Sequence, residues 1–195
     1  MKKLVLLAAP PACGKNYVSD LICRELSSVA YIDKDDLSPL LRRAFAVSGE
    51  KLDMDGEFYR ENLHAAEYQT LLGLAFSALR YSDVVLVNAP FVSEVRNVDY
   101  IRDLHNSAAE QGAELVLIWV TASPEVCRER MMARASDRDA EKLKNWEEYV
   151  AGIDFSAPQE LFARRAVDKL FVFDNENGER AAESLAKAIA KALER

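Results

Sequence analysis

The chain has 195 residues, of which 50% are hydrophobic and 29% are charged. This balance excludes a disordered chain, because it supplies enough apolar side chains for a core, and the length suits one domain over residues 1–195. The formal net charge of -7 argues against a long nucleic acid as partner and favours small molecules.

Five short apolar runs predict five strands. They lack strict alternation of polar and apolar residues, as is typical of parallel strands covered by helices on both faces. The apolar part of the first run, Leu4 to Ala9, has six residues and is too short for the roughly 7–15-residue core of a secretory signal, and no stretch reaches the roughly 20 apolar residues of a membrane span. We therefore expect an α/β fold with a five-stranded parallel sheet and no membrane segment. The runs are residues 3–9, 29–32, 84–87, 115–120 and 170–173.

Helical patterns lie between and after the predicted strands. Apolar residues at three-to-four-residue spacing define one stripe after the first strand, at Val18, Leu21, Ile22 and Leu26, and another in residues 185–193. Two stretches between predicted strands are too long to be simple crossover connections. We predict a helical insert at about 36–82, with a long helix at about 58–80, and a lid at about 127–145.

The segment A-P-P-A-C-G-K-N, Ala9 to Asn16, follows the first strand and enters a helix. It matches the phosphate-binding pattern GxxxxGK[S/T] except at its two ends. Backbone amides and the helix N-terminus of such a loop bind phosphate, and Lys15 reaches the outer phosphates. The alternative is a chance Gly-Lys turn that only joins strand to helix. The predicted nucleotide contacts are Pro11, Ala12, Cys13, Gly14, Lys15, Asn16 and Tyr17.

Two positions depart from the usual magnesium chemistry. Asn16 replaces the hydroxyl residue that ends the loop pattern. Asn88 ends the third run, at a place where many enzymes with this loop pattern carry an aspartate that holds magnesium through water. An amide carbonyl is a weaker magnesium ligand than a carboxylate. We therefore expect Asp33 or Asp35 to supply the missing charge, with Asn16 and Asp33 as the metal ligands.

The second run ends in the acidic segment Y-I-D-K-D-D-L, which places Asp33, Asp35 and Asp36 at the carboxyl edge of the sheet. Ligands of open α/β sheets bind at that edge. Phosphoryl transfer to a hydroxyl uses a carboxylate to orient the nucleophile and accept its proton, and Asp35 is the candidate. Helix capping is the alternative, and we expect one of the three to cap.

Arg130, Arg134 and Arg138 recur every four residues and would line one face of a helix. Such a face favours an anion, since arginines stabilise the charge of a transferring phosphoryl group. The alternative is a solvated helix whose arginines pair with nearby carboxylates. Those carboxylates belong to Glu125, Glu129, Asp137 and Asp139.

The three cysteines, Cys13, Cys23 and Cys127, show no paired spacing and no histidine cluster for zinc. This usage indicates a reducing, cytoplasmic location. Cys13 would lie near a helix N-terminus, where a thiol pKa tends to fall, so its oxidation would block the nucleotide; otherwise it is a small filler.

Together these motifs resemble the P-loop kinases of the AAA-domain ATP-binding type, close to the polynucleotide-kinase and zeta-toxin kinase groups. The resemblance implies a three-layer P-loop NTPase fold with an arginine-bearing lid, and ATP with Mg²⁺ as the donor. It also implies Lys15 on the phosphates, Asp35 as base, and Arg130 and Arg134 as lid arginines. Ser38 stands where polynucleotide kinases hold a substrate phosphate with an arginine, which disfavours a nucleic-acid acceptor. Two further segments contribute to the resemblance, V-L-V-N-A-P-F and R-M-M-A-R-A-S-D-R-D-A-E-K.

The leading hypothesis is a kinase acting on a small hydroxylated or phosphorylated metabolite. One alternative is a nucleotide sensor without catalysis, in which Asn16 and Asn88 mark lost magnesium chemistry. Another is an ATPase that drives a partner. The sequence predicts no oligomeric state. Candidate substrate contacts are Arg42, Arg43, Arg60 and Arg96.

Overall fold

A computed structural model describes residues 1–195, apart from the side chains at positions 137 and 138. Five parallel strands form one sheet in the order β2-β3-β1-β4-β5. Each predicted run is a strand within two residues at either end, which confirms the predicted fold class. The strands are β1 (Lys2–Ala8), β2 (Ala30–Asp33), β3 (Val84–Asn88), β4 (Ala113–Thr121) and β5 (Lys169–Asp174).

Helices cover both faces of the sheet, and they differ from the predictions at two places. The helix expected over residues 58–80 is two helices, because Leu63 leaves helical geometry at φ -120° and ψ -36°. The helix expected to carry the arginine series ends at Ala135, which adopts a left-handed φ of 45°. The third arginine, Arg138, therefore belongs to the next helix, and its side chain lies outside the described residues.

The helices have the following bounds. They are α1 (Lys15–Glu25), α2 (Ser38–Ser48), α3 (Glu57–Asn62), α4 (His64–Ala78), α5 (Val98–Glu110), α6 (Pro124–Arg134), α7 (Asp137–Lys144), α8 (Trp146–Ala151), α9 (Gln159–Ala163) and α10 (Glu179–Leu193). Short 3-10 helices span Lys34–Leu37 and Glu94–Arg96.

The core lies in two layers, one on each face of the sheet. In β1, Leu4 and Leu6 contact the layer beneath α4 and α5, whereas Val5 and Leu7 contact the layer beneath α1 and α10. All four side chains are fully buried. Burial on both faces removes any selection for polar residues along the strand, which explains its continuous apolar run.

The strand order brings polar strand ends together. Asp33 of β2 is the register partner of Asn88 of β3, and Asn88 is the register partner of Leu7 of β1. The carboxyl ends of these three strands therefore meet beside the loop that leaves β1. Among the described residues, no helix has both the length and the apolar character to cross a bilayer.

Candidate functional site

The loop between β1 and α1 has the backbone shape of an anion-binding turn. Ala12 and Gly14 both have positive φ, at 64° and 88°. A Cβ atom on Gly14 would lie 2.2 Å from Nδ2 of Asn175, so both the left-handed conformation and the close approach require glycine. Residues 14–17 begin α1 with amides that donate to no acceptor in the described part of the chain. Such amides are available to an anion.

Two side chains fix the direction in which the loop amides point. Arg130 donates from Nη1 to the carbonyl oxygens of Ala12 (3.4 Å) and Cys13 (3.1 Å). Asn175 donates from Nδ2 to the same Cys13 oxygen at 2.8 Å, and its own carbonyl accepts from Nη2 of Arg130 at 2.6 Å. Because a trans peptide holds its C=O and N–H on opposite sides, the Gly14 N–H points away from these two side chains.

Asn175 is a contributor that the sequence analysis missed. It directly follows β5, in the turn-forming segment D-N-E-N-G, and only 7% of its surface is exposed. A polar residue at the carboxyl end of a parallel strand was the available signal. The segment reads as an ordinary turn, so its contact with a loop 162 positions earlier in the chain was not apparent.

A cavity of about 430 Å³ opens beside the loop, lined by Gly14, Tyr17, Arg130, Asn175 and Glu176. Tyr17 is 41% exposed there, so its ring is accessible. A larger cavity of about 650 Å³ is lined by Lys3 and Asp83, at the amino ends of the strands. That cavity lies at the opposite edge of the sheet from the loop amides.

Lys15 points toward the end of β3 in this structure. Its Nζ donates to Oδ1 of Asn88 at 2.6 Å and to Oδ1 of Asn16 at 3.2 Å. Burial lowers the pKa of Lys15 to about 8, and the negative charges of Asp33 and Asp35 oppose this shift. The ammonium group is therefore desolvated, and it lies near the predicted acidic residues.

Asn88 connects the predicted metal ligands. Its Nδ2 lies 2.6 Å from Oδ2 of Asp33, 2.8 Å from the hydroxyl of Tyr31 and 3.1 Å from Oδ1 of Asn16. Tyr31 also donates to Oδ2 of Asp33 at 2.7 Å. Burial raises the pKa of Asp33, but hydrogen bonds from the Asp35 amide, Tyr31 and Asn88 outweigh this effect, so the net pKa is lowered. Asp33 is therefore a stable carboxylate.

Asp33 and Asp35 of the acidic segment have different surroundings. Oδ1 of Asp33 accepts from the Asp35 amide at 2.9 Å and caps the 3-10 helix. The capping role that we expected for one aspartate therefore belongs to Asp33. The Asp35 carboxylate is exposed and makes no hydrogen bond within the described residues, yet it is close enough to raise the pKa of Lys15.

Arg134 behaves differently from Arg130. Its guanidinium binds both carboxylate oxygens of Asp139, with Nη2 to Oδ1 at 2.7 Å, and Asp139 is only 1% exposed. The structure brings Arg130 to the loop and holds Arg134 against Asp139 of α7. Pairing with a nearby carboxylate was the alternative considered for this arginine series.

Comparison with known proteins agrees with this geometry. The sequence model of a family described as an AAA domain matches residues 4–155. The chain belongs to this AAA-domain family. No curated protein sequence matches it significantly.

Several solved structures, among them a sugar kinase, Kti12 and a shikimate kinase, are similar to this AAA-domain protein with TM-scores above 0.5. A sugar kinase from Janibacter has a TM-score of 0.62 at 13% identity, covering 100% of this chain and 95% of that one. Kti12 from Chaetomium thermophilum in complex with ADP-AlF3 has a TM-score of 0.58 at 16% identity, with coverages of 97% and 98%. Shikimate kinase from Bacteroides thetaiotaomicron has a TM-score of 0.52 at 14% identity, covering 98% of each chain. At these identities the likenesses show the fold alone, which this chain shares with all three proteins.

The AAA-domain site has a donor set that suits magnesium held together with phosphates. Asn16 and Asp33 present one amide and one carboxylate oxygen around the same Nδ2 atom of Asn88. Mg²⁺ commonly takes one or two carboxylates and completes its shell with phosphates and water. No group of three His, Cys, Asp or Glu side chains gathers as a metal site in the described part of the chain. The residues fit a metal that arrives with a nucleotide.

Proposed function

We propose that this protein is a kinase that transfers the γ-phosphate of ATP to a hydroxyl group of a small molecule. The observation that carries the proposal is the row of unpaired amides at residues 14–17 beside Lys15, whose ammonium lies close enough to Asp33 and Asp35 for their charges to raise its pKa. Amides and a lysine bind a triphosphate, and a nearby carboxylate suits an acceptor hydroxyl.

Each residue at the loop has a proposed task. The amides of residues 14–17 bind phosphate oxygens, and Pro11, Ala12 and Cys13 shape the loop that presents them. Lys15 exchanges its bond to Asn88 for the outer phosphates. The cavity beside Tyr17 and Arg130 receives the nucleoside.

The remaining residues serve the transferring group and the acceptor. Asp35 accepts the proton of the acceptor hydroxyl. When the proposed lid closes, Arg134 leaves Asp139 and binds the transferring phosphoryl group. Arg130 stays on the loop. Asn16 and Asp33 would hold Mg²⁺, which neutralises charge on the phosphates when bound.

The nature of the acceptor rests on indirect support. Two similar folds are a sugar kinase and a shikimate kinase, which favours a small-molecule acceptor. The net charge of -7 disfavours a long nucleic acid. A cytoplasmic location stays a prediction from cysteine usage.

The test compares two neighbouring aspartates. Asp35→Asn should leave the Kd for ATP within about twofold and lower acceptor-dependent ADP release by roughly 10²–10⁴-fold, the usual range for losing a general base. Asp36→Asn is the matched control, because Asp36 is also exposed and lies one position later in the chain. ADP release across a panel of hydroxylated metabolites provides the readout. Full activity in Asp35→Asn would move the base elsewhere.

A nucleotide sensor is the second candidate, favoured by the amide at Asn88. That amide donates toward both predicted metal ligands, whereas an aspartate would attract the metal itself. ATP affinity that does not depend on magnesium, without ADP release, would support the sensor. ADP release that needs no acceptor would instead support an ATPase that acts with a partner.

A further inference from the structure

A cluster of aromatic and acidic side chains lies between α3, α4 and the segment that follows β3. We call it the Glu94 cluster; it comprises Tyr59, His64, Glu67, Tyr68 and Glu94. The His64 ring lies 4.6 Å from the Tyr68 ring and 5.5 Å from the Tyr59 ring, between centroids. Tyr59 donates to Glu67. The break at Leu63 between α3 and α4 places His64 within this cluster.

Lys34 connects the Glu94 cluster to the acidic segment. Its Nζ lies 2.9 Å from Oε1 of Glu67 and within 5.9 Å of the centres of both the Tyr59 and Tyr68 rings. Lys34 and Asp35 are both close enough to Lys15 to affect its pKa, in opposite directions. Glu94 follows β3, whose last residue, Asn88, binds Lys15. The cluster therefore lies at the edge of the sheet where phosphate transfer is proposed.

Glu94 has one carboxylate oxygen in use and one without a partner. Its Oε1 lies 3.0 Å from the Ser93 hydroxyl and 3.3 Å from Nε2 of His64. Only 8% of the Glu94 side chain is exposed. Its Oε2 atom is buried and has no hydrogen-bond partner within the described residues. An unpaired buried carboxylate oxygen costs free energy, so such an atom indicates a position for a missing donor.

The arginines proposed as substrate contacts on this side do not compete for that oxygen. Arg96 donates to the carbonyl oxygens of Asp154 and Ser156, at 3.1 and 2.6 Å. Arg60 donates to the Asp55 carbonyl. Arg42 and Arg43 are exposed on α2. An anionic acceptor group at the cluster would meet two glutamates, and the lysine there is already paired with one of them.

We infer that Oε2 of Glu94 accepts a hydrogen bond from the phosphate acceptor, and that the acceptor is polyhydroxylated and neutral or cationic at this point. The inference rests on the proposed kinase function and deepens it. Carboxylates accept hydrogen bonds from hydroxyl and ammonium groups and repel carboxylates and phosphates. Glu94 is then a specificity-determining residue, and Asp35 remains the proposed base.

Three matched probes test the acceptor class. D-glucitol, D-glucamine and D-gluconate have the same six-carbon chain and the same hydroxyl groups on carbons 2 to 6, and they differ only at the first carbon, which is a hydroxymethyl, an aminomethyl or a carboxylate group. With saturating Mg-ATP, glucitol or glucamine should raise ADP release above the basal rate, and gluconate should be at least tenfold poorer. Equal or faster release with gluconate overturns the inference, as does no acceleration by any of the three in protein that binds ATP. Failure to bind ATP would instead refute the proposed kinase function.

The variant Glu94→Gln tests the residue. Losing a hydrogen bond to a charged group should raise the KM for the better probe by roughly tenfold or more. The KM for ATP should stay unchanged. Glu61→Gln is the control, because Glu61 is exposed on α3. A Glu94→Gln variant that melts at a lower temperature but keeps the wild-type KM for the probe would show that Glu94 only holds His64 in place, and would overturn the assignment.

Discussion

The pKa of Lys15 predicts that ATP binding takes up a proton in alkaline solution. Burial lowers this pKa from 10.5 to about 8 in the nucleotide-free protein. A bound triphosphate supplies negative charge next to the ammonium and should return the pKa toward its ordinary value. At a pH between these two pKa values, Lys15 is largely neutral in the free protein and charged in the ATP-bound protein.

The size of the effect follows from the titration of one group. With a pKa of about 8, Lys15 is about 90% charged at pH 7 and about 10% charged at pH 9. If only the charged form binds tightly, ATP affinity should fall about tenfold between pH 7 and pH 9, with uptake of about 0.9 proton per ATP at pH 9. The terminal phosphate of ATP contributes little there, since its pKa of about 6 lies well below this range.

Calorimetry in two buffers with different ionisation enthalpies measures the proton uptake directly. Lys15→Arg is the matched control, because a guanidinium stays charged throughout this range and should give a flat profile. The reasoning fails if the wild type takes up no proton at pH 9. It also fails if Lys15→Arg shows the same uptake, since the proton would then go to another group.

Two further predictions concern the surroundings of the loop. Asn175→Ala removes the donor to the Cys13 carbonyl and should weaken ATP binding roughly tenfold, as measured by calorimetry at pH 7. Asn177→Ala is the control and should leave ATP affinity unchanged, because it loses a hydrogen bond only to Asp174. Equal ATP affinities in the two variants would show that Arg130 alone orients the loop. Cys13 and Cys127 are fully buried with their Sγ atoms 3.5 Å apart, and the contact with Cys127 and burial raise the pKa of Cys13 instead of lowering it as the sequence suggested. The same contact lowers the pKa of Cys127, so prolonged diamide treatment should join the two in a disulfide and lower ATP affinity, as seen by intact mass and nucleotide titration. Cys127→Ser should prevent this and Cys23→Ser should not, and a disulfide that needs Cys23 would contradict the prediction.

The architecture was predictable because its signals are local. Strands buried on both faces must be apolar throughout, so short runs identified β1 to β5 without knowledge of their neighbours. The loop was equally apparent, because Gly14 and Lys15 stand where the segment after a strand enters a helix. In both cases the residue types needed for the structure are adjacent in the chain.

The partnerships across the chain were not predictable in the same way. Arg134 shows the difficulty, because its spacing fits an anion-binding face and also fits pairing with Asp139, and the turn at Ala135 favours the pair. The break at Leu63 carries no glycine or proline. Packing of His64 between Tyr59 and Tyr68 stabilises it, and those contacts depend on Glu94 and other residues outside the helix.

Asn88 illustrates how one such contact changes the chemistry expected from a motif. Its Nδ2 lies 2.6 Å from Oδ2 of Asp33, so an aspartate at position 88 would place two carboxylates against each other. One of them would then hold a proton, or both would need a cation between them. With an amide, Asp33 keeps its charge without that cation, and the Oδ1 atom of Asn88 still accepts from Lys15. In the proposed kinase, the second strand would therefore supply, through Asp33, the carboxylate that many P-loop enzymes carry at the end of the third strand.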